Sequence, residues 1–270
     1  MTEKHEISPN QSVELLKALH ILTVDGKLNQ DSRRKLKQVN HLVNFIAPLY
    51  ESIEGDVTLV DHGAGKSYLG FILYDLLMKN NTNAKVIGIE TRADLVQKSV
   101  ELAKLCGFER MEFQHLTVEQ SIQSDTLPIT VDIVSALHAC NTATDDAIQF
   151  GLQKQAKYMV LVPCCQAEVA EVLRQHKNES FGKTPLSEIW RHPIHTREFG
   201  SQITNVLRCL QLEAHGYNVT VTELVGWEHS MKNELIIAKY TGQPRKNARE
   251  RMETILQQLN LESLQYRFCV

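Results

Sequence analysis

The chain has 270 residues, of which 43% are hydrophobic and 23% are charged, and its formal net charge is −3. This composition is typical of a globular protein with one large domain, and the overall charge gives no sign of nucleic-acid binding. No apolar run approaches the ~18 residues of a membrane span, and the polar first ten residues do not resemble a signal peptide.

Two amphipathic helices are predicted near the N-terminus. Apolar residues recur at helical spacing over 12–22 and again over 36–46. Asp31–Ser32 can cap the second helix, and Pro48 and then Gly55 mark its end.

From residue 57 onward, short apolar strands alternate with amphipathic helices. The predicted strands cover 58–63, 84–90, 111–116, 131–140, 158–165, 218–226 and 233–240. The predicted helices between them cover 67–79, 94–107, 145–155, 168–176 and 203–216. Such alternation indicates an α/β fold with a parallel sheet that is covered on both faces. The last two strands are joined by too short a segment for a crossover, so we expect them to pair antiparallel at the sheet edge.

We expect three parts along the chain. Residues 1–54 form an N-terminal helical cap, 55–240 form the α/β domain, and 241–270 form a basic, helical C-terminal tail. No linker rich in glycine or proline divides the middle part.

The segment VDHGAGKSYLG, residues 60–70, contains fragments of two nucleotide-binding motifs. A P-loop requires a glycine five residues before Gly65, where the chain has Val60 inside a strand. A dinucleotide motif requires a third glycine where the chain has Tyr68. Neither a triphosphate nor a dinucleotide therefore fits this turn.

The remaining pattern suits a nucleoside without phosphates. Asp61, Gly63 and Gly65 lie at the tip of the first strand, and Glu90 ends the second. Glycines let a ligand approach the backbone, Asp61 can accept a hydrogen bond from an ammonium group, and Glu90 can accept from both ribose hydroxyls. S-adenosylmethionine carries these groups together with a carboxylate, which can face the following helix N-terminus.

Residues 55–240 contain the glycine loop, the acid Glu90 and a hairpin of the last two strands. In these features they resemble the class I methyltransferases. The resemblance implies a Rossmann-like sheet of seven strands with an antiparallel last strand, preceded here by a helical extension, and S-adenosylmethionine as cofactor. It also implies that Leu116 and Thr117, after the third strand, border the adenine. Thr91 and Leu137, at the ends of two other strands, complete the expected cofactor residues.

A more specific resemblance lies in two later segments. LHACNTATDDA, starting at Leu137, and VPCC, ending at Cys165, resemble a subgroup that includes tRNA 2′-O-methyltransferases and other methyltransferase-like proteins. This resemblance implies an RNA acceptor and places His138, Asn141 and Cys164 nearest the chemistry.

Several roles stay open for the residues of these segments. His138 can act as a general base, and Cys140, Cys164 or Cys165 can act as a nucleophile or pack as a small apolar group. A zinc site is disfavoured because adjacent cysteines do not easily bind one tetrahedral ion, so we expect no metal. The six cysteines of the chain are irregularly spaced. This spacing favours a reduced, cytoplasmic setting.

Basic and aromatic residues suggest where RNA could bind. The second helix begins with Arg33, Arg34, Lys35 and Lys37, and the last hairpin carries Trp227 and Lys232. A polar, basic stretch over 191–197 is expected to form part of a lid. A small-molecule or protein methyltransferase, and a non-catalytic cofactor-binding module, remain the alternatives.

Overall fold

The structure is a computed structural model that describes residues 7–8, 10–28, 30–137, 141–163, 166–176, 184–224 and 234–268. Its strands are β1 Val57–His62, β2 Ala84–Glu90, β3 Met111–His115, β4 Ile133–Leu137, β5 Tyr158–Val162, β6 Tyr217–Glu223 and β7 Glu234–Tyr240. Its helices are α1 Val13–Ala18, α2 Gln30–Glu51, α3 Tyr68–Leu73, α4 Ala93–Cys106, α5 Val118–Gln123, α6 Ala143–Gln153, α7 Glu168–Gln175, α8 Pro193–Ala214, α9 Ala248–Gln258 and α10 Gln265–Phe268. A π-helical turn, Tyr74–Met78, continues α3, and 3-10 turns cover Pro185–Arg191 and Glu262–Leu264.

All seven strands form one sheet in the order β3-β2-β1-β4-β5-β7-β6. Strands β1 to β5 run parallel, and β7 pairs antiparallel with both β5 and β6. The predicted fold class, a seven-stranded Rossmann-like sheet with an antiparallel last strand, is confirmed. Because the strand order reverses between β1 and β4, the crevice outside their carboxyl ends is the expected ligand position.

The central strands β1, β2, β4 and β5 are buried on both faces, as their nearly continuous apolar sequences require. Leu59 and Val86 face a core that also includes residues of α1, α2, α3 and α4. Val60 and Ile87 face the opposite core, to which α5, α6 and α8 contribute. The alternation along each strand therefore decides which set of helices a side chain meets.

The two terminal segments share cores with the rest of the chain. Helices α1 and α2 pack into the core on the α3 face of the sheet. Helix α9 and the last described residues pack with α7 and α8 in a third apolar cluster, which includes Leu207, Met252 and Phe268. The division into a cap, a central domain and a tail stays a prediction.

Three local features of the structure differ from the pattern expected from the sequence. Helix α2 continues past Pro48 to Glu51, because proline removes one backbone donor but leaves its carbonyl free to accept from Ser52.

The stretch over 191–197 ends a 3-10 turn and then forms the first turn of α8, with Pro193 at its start. Helix α5 was not predicted; its Thr117 cap and the reciprocal Gln120 bond form a capping box.

Candidate active site

The turn between β1 and α3 has three residues in the left-handed region. Gly63 has φ 66°, Gly65 has φ 57° and Ser67 has φ 48°. Glycine adopts this conformation without steric cost, but serine does not. Ser67 is fully buried, and its hydroxyl donates to the carboxylate of Asp61 at 2.9 Å. That hydrogen bond closes the turn across six residues of chain.

Asp61 lies beneath this turn with 2% of its surface exposed. Oδ2 accepts from Ser67, and Oδ1 accepts from the Ser135 hydroxyl of β4 at 3.0 Å. Burial raises the pKa of Asp61 from 3.8 to about 6, although hydrogen bonds from Ser67, Ser135 and the Gly70 backbone oppose that rise. Asp61 therefore connects the turn to the sheet: Oδ2 binds Ser67 of the turn, and Oδ1 binds Ser135 of β4.

Glu90 ends β2 beside the same turn. Its Oε2 accepts from the backbone N–H of Gly65 at 2.7 Å, and its Oε1 accepts from the N–H of Arg92 at 3.0 Å and the hydroxyl of Thr91 at 3.3 Å. A carboxylate has about four acceptor positions, so Oε2 keeps capacity for a ligand hydroxyl. The glycine turn and the acid predicted to bind ribose are thus directly joined.

The surroundings of the turn fit a bound nucleoside. A Cβ added at Gly65 would meet nothing within 4 Å, so the backbone there is open to an approaching group. Within the described residues, the buried ring nitrogens of His62, before the turn, and the buried hydroxyl of Tyr68, after it, have no hydrogen-bond partner. The His62 ring packs against Phe150, with ring centroids 5.1 Å apart.

The expected adenine edge lies next to Glu90. The backbone N–H of Leu116 donates to the Glu90 carbonyl at 3.2 Å, and Thr117 begins α5 as its cap. Leu137 ends β4, half-buried, on the other side of β1. All of the predicted cofactor residues are described, and they lie at or just after the carboxyl ends of β1, β2, β3 and β4.

The predicted catalytic residues are only partly described. His138 and Cys164, like Cys140 and Cys165, lie outside the described residues. Asn141 is described, and it has φ 55°, in the left-handed region that asparagine tolerates. Its carbonyl accepts from Gln166 Nε2 at 2.6 Å and from the Arg208 guanidinium at 3.1 Å.

Arg208 is the centre of a buried polar network that the sequence reasoning missed. Its side chain has no exposed surface, and it forms two parallel bonds to Asp145, at 2.7 and 2.8 Å. It also donates to Asn205, which in turn donates to Glu234 at the start of β7. A sequence signal existed: α8 has a stripe of polar residues at helical spacing, Thr204, Asn205, Arg208 and Gln211, all of them buried.

Comparison with known proteins places this geometry in a family. A family model described as a methyltransferase domain matches residues 34–172, more than half of the chain. The chain belongs to this family. The family assignment and the strand order confirm the expectation of a class I methyltransferase that uses S-adenosylmethionine.

The chain is similar to curated proteins that are named glutathione S-transferase C-terminal domain-containing protein. The Bos taurus protein is 25% identical over 231 residues, covering 79% of this chain and 34% of its own length. The Drosophila melanogaster homolog is 23% identical over 231 residues, covering 78% of this chain and 37% of its own length. The chain thus spans about a third of the length of the curated relatives it matches.

Solved structures with a similar fold include a methyltransferase and a domain of a polyketide synthase. Magnesium protoporphyrin IX methyltransferase from Synechocystis PCC 6803 has a TM-score of 0.49 and 14% identity, with 86% of this chain and 96% of that chain covered. The CMeT domain of the citrinin polyketide synthase also has a TM-score of 0.49, with 13% identity and coverage of 80% and 58%.

The residues predicted to bind RNA are mostly not described. The side chain of Arg33 is exposed on α2, whereas those of Arg34, Lys35 and Lys37, and all of Trp227 and Lys232, lie outside the described set. Across the described ranges, we find no cluster of three or more His, Cys, Asp or Glu side chains that could hold a metal ion. Among the described helices, none is long and apolar enough to cross a membrane.

Proposed function

We propose that this methyltransferase transfers a methyl group from S-adenosylmethionine to RNA, at the crevice outside β1, β2 and β4. The observation that carries the proposal is the contact between the Gly65 N–H and the Glu90 carboxylate, at 2.7 Å. It joins a glycine turn to the acid of the neighbouring strand, which is the arrangement that a ribose at this position requires.

Each described site residue has a role in holding the cofactor. Glu90 accepts from the ribose hydroxyls, and Thr91, which donates to Glu90, helps to orient that acid. The backbone of Gly63 and Gly65 borders the ligand. Asp61 stabilises the turn through Ser67. Because Asp61 is buried, a bond from the ammonium group to its carboxylate requires that contact to open.

The remaining site residues border the two ends of the ligand. Leu116 and Thr117 border the base, and Leu137 leads into the segment that faces the reacting group. When bound, S-adenosylmethionine supplies a methyl group attached to a positively charged sulfur.

The acceptor must lose a proton as its new bond to carbon forms. We assign that proton to His138 as general base, with Asn141 and Cys164 beside the acceptor. A cysteine nucleophile remains the competing chemistry, and it predicts a covalent intermediate that a base does not. Retention of label on denatured protein therefore separates the two.

RNA as acceptor rests on the sequence. The LHACNTATDDA and VPCC segments resemble tRNA 2′-O-methyltransferases, and basic residues including Arg33 begin α2. Lysine and arginine side chains of this kind bind phosphates. A cytoplasmic setting, expected from the cysteine pattern, is part of the same proposal.

Cofactor binding is tested by calorimetry with S-adenosylhomocysteine. We expect Glu90→Ala to weaken binding by about 10- to 100-fold, because hydrogen bonds to a charged group contribute roughly 1.5–3 kcal/mol. Glu112→Ala, at an exposed acid on the neighbouring strand β3, is the matched control and should bind as the wild type does. Equal affinities of the two variants would contradict the site.

The acceptor is tested with radiolabelled S-adenosylmethionine and total RNA from a strain that lacks the protein. We expect label in RNA, identified as one methylated nucleoside by mass spectrometry, and much less label with Glu90→Ala at a cofactor concentration near the wild-type Kd. Label in protein or in a small molecule instead would favour the alternative methyltransferase classes. Cofactor binding without any transfer would favour a non-catalytic module.

A further inference from the structure

The backbone of Asn141, two residues before α6, is held by side chains that belong to other elements. Its carbonyl accepts from two donors, Gln166 Nε2 at 2.6 Å and the Arg208 guanidinium at 3.1 Å. A carbonyl oxygen has two lone pairs, so these two bonds use its full accepting capacity. The bonds come from the segment after β5 and from the middle of α8.

The two donors are themselves fixed. Arg208 makes a bidentate pair with Asp145 in the first turn of α6 and donates to Asn205, so its guanidinium has one orientation. Gln166 is 5% exposed. A buried donor that lost its acceptor here would incur the full cost of desolvation, which opposes any movement of the Asn141 carbonyl.

We propose that Gln166 and Arg208 are positioning residues for methyl transfer. They hold the backbone of Asn141, which is itself one of the residues proposed to lie beside the acceptor. Neither residue touches cofactor or acceptor in this role; each acts through the Asn141 carbonyl. The inference rests on the proposed function, since that proposal places Asn141 at the transfer step.

Gln166→Leu is the variant that tests the role. Changing Arg208 would leave Asp145 buried without its counter-ion and threaten folding, whereas Gln166→Leu removes one donor and keeps the volume. Gln211→Leu is the matched control. Gln211 is also buried and also donates its amide to a backbone carbonyl, that of Arg267, at 3.4 Å.

Two measurements are made on wild type and both variants. In hydrogen exchange with mass spectrometry, we expect the peptides that contain Asn141 to exchange roughly two- to tenfold faster in Gln166→Leu, in proportion to one lost hydrogen bond. The same peptides should exchange at the wild-type rate in Gln211→Leu. Unchanged exchange in Gln166→Leu would overturn the proposal whether or not the protein has a known acceptor.

The second measurement is methyl transfer to RNA. We expect kcat to fall about tenfold in Gln166→Leu, while the Kd for S-adenosylhomocysteine and the melting temperature remain within the range of the Gln211→Leu control. A fall in cofactor affinity with kcat retained would refute the positioning role. If the wild-type protein transfers no methyl group to RNA, the proposed acceptor is wrong. The exchange result then still decides whether Gln166 holds the Asn141 backbone.

Discussion

The buried carboxyl group of Asp61 provides a quantitative test of how the cofactor turn is built. The perturbation is Asp61→Asn, which keeps the shape and can still hydrogen-bond the hydroxyls of Ser67 and Ser135, but cannot ionise. Because burial raises the pKa of Asp61 from 3.8 to about 6, the folded protein holds this proton more tightly than the unfolded chain does.

The sign and size follow from that difference. The stabilising contribution of Asp61 is fully present below pH 3.8 and is lost as the pH rises through about 6. A difference of about two pH units corresponds to about 3 kcal/mol. Relative to Asp61→Asn, the free energy of unfolding of the wild type should therefore fall by about 2.5 kcal/mol between pH 4 and pH 8, since part of the loss occurs below pH 4.

The assay is urea unfolding followed by circular dichroism, from pH 4 to pH 8, on both proteins. Taking the difference removes the titration of groups that the two proteins share, such as Asp146 and His62. Asp94→Asn, at an exposed acid in the first turn of α4, should give a difference that is flat from pH 5 to pH 8. A flat profile for Asp61→Asn would refute the claim that burial dominates the ionisation of this group.

Three further substitutions test the turn and its neighbours. Gly65→Ala should destabilise the protein by about 1–2 kcal/mol, because alanine pays for the left-handed φ of 57° although its Cβ meets nothing; thermal unfolding measures this. His62→Leu should remove the loss of stability on acidification that follows from a His62 pKa lowered by burial to about 4, as unfolding at pH 5 against pH 7 will show. Gly70→Ala should be strongly destabilising because its Cβ would lie 2.5 Å from the Ser67 hydroxyl, and a second change, Ser67→Gly, should restore part of the loss in a double-mutant cycle.

The sheet could be predicted from sequence because its signals are local and strong. Strand β2 occupies the predicted residues, Ala84–Glu90, since a buried parallel strand is a short continuous apolar run between turns. Helix α4 ends at Cys106 and is capped by Gly107, which has φ 68°. A glycine after an amphipathic stretch predicts such an end. The contacts around Asn141 could not be predicted, because Gln166 and Arg208 approach it from distant parts of the chain.

The pattern of the glycine turn was also predicted more easily than its chemistry. The sequence predicts that Asp61 accepts from an ammonium group, and the structure shows that both of its oxygens already accept from serines. Ser67 stands at a left-handed position where glycine is the usual residue, and its hydroxyl fills the space between Gly70 and Gly88. A hydroxyl that compensates for backbone strain in this way can be recognised only once its acceptor is known.

The glycine turn and the Asn141 backbone are both held by hydrogen bonds to a buried charged side chain. Apolar packing fixes distances between helices and strands, but it does not orient a backbone carbonyl or a single turn, whereas hydrogen bonds in a low-dielectric interior do. At the glycine turn, Asp61 accepts such a bond from Ser67, and after β4, Arg208 donates one to the Asn141 carbonyl. Each charge is buried at a cost. We infer that this cost is offset by the backbone orientation that the two charges impose at the carboxyl ends of β1 and β4.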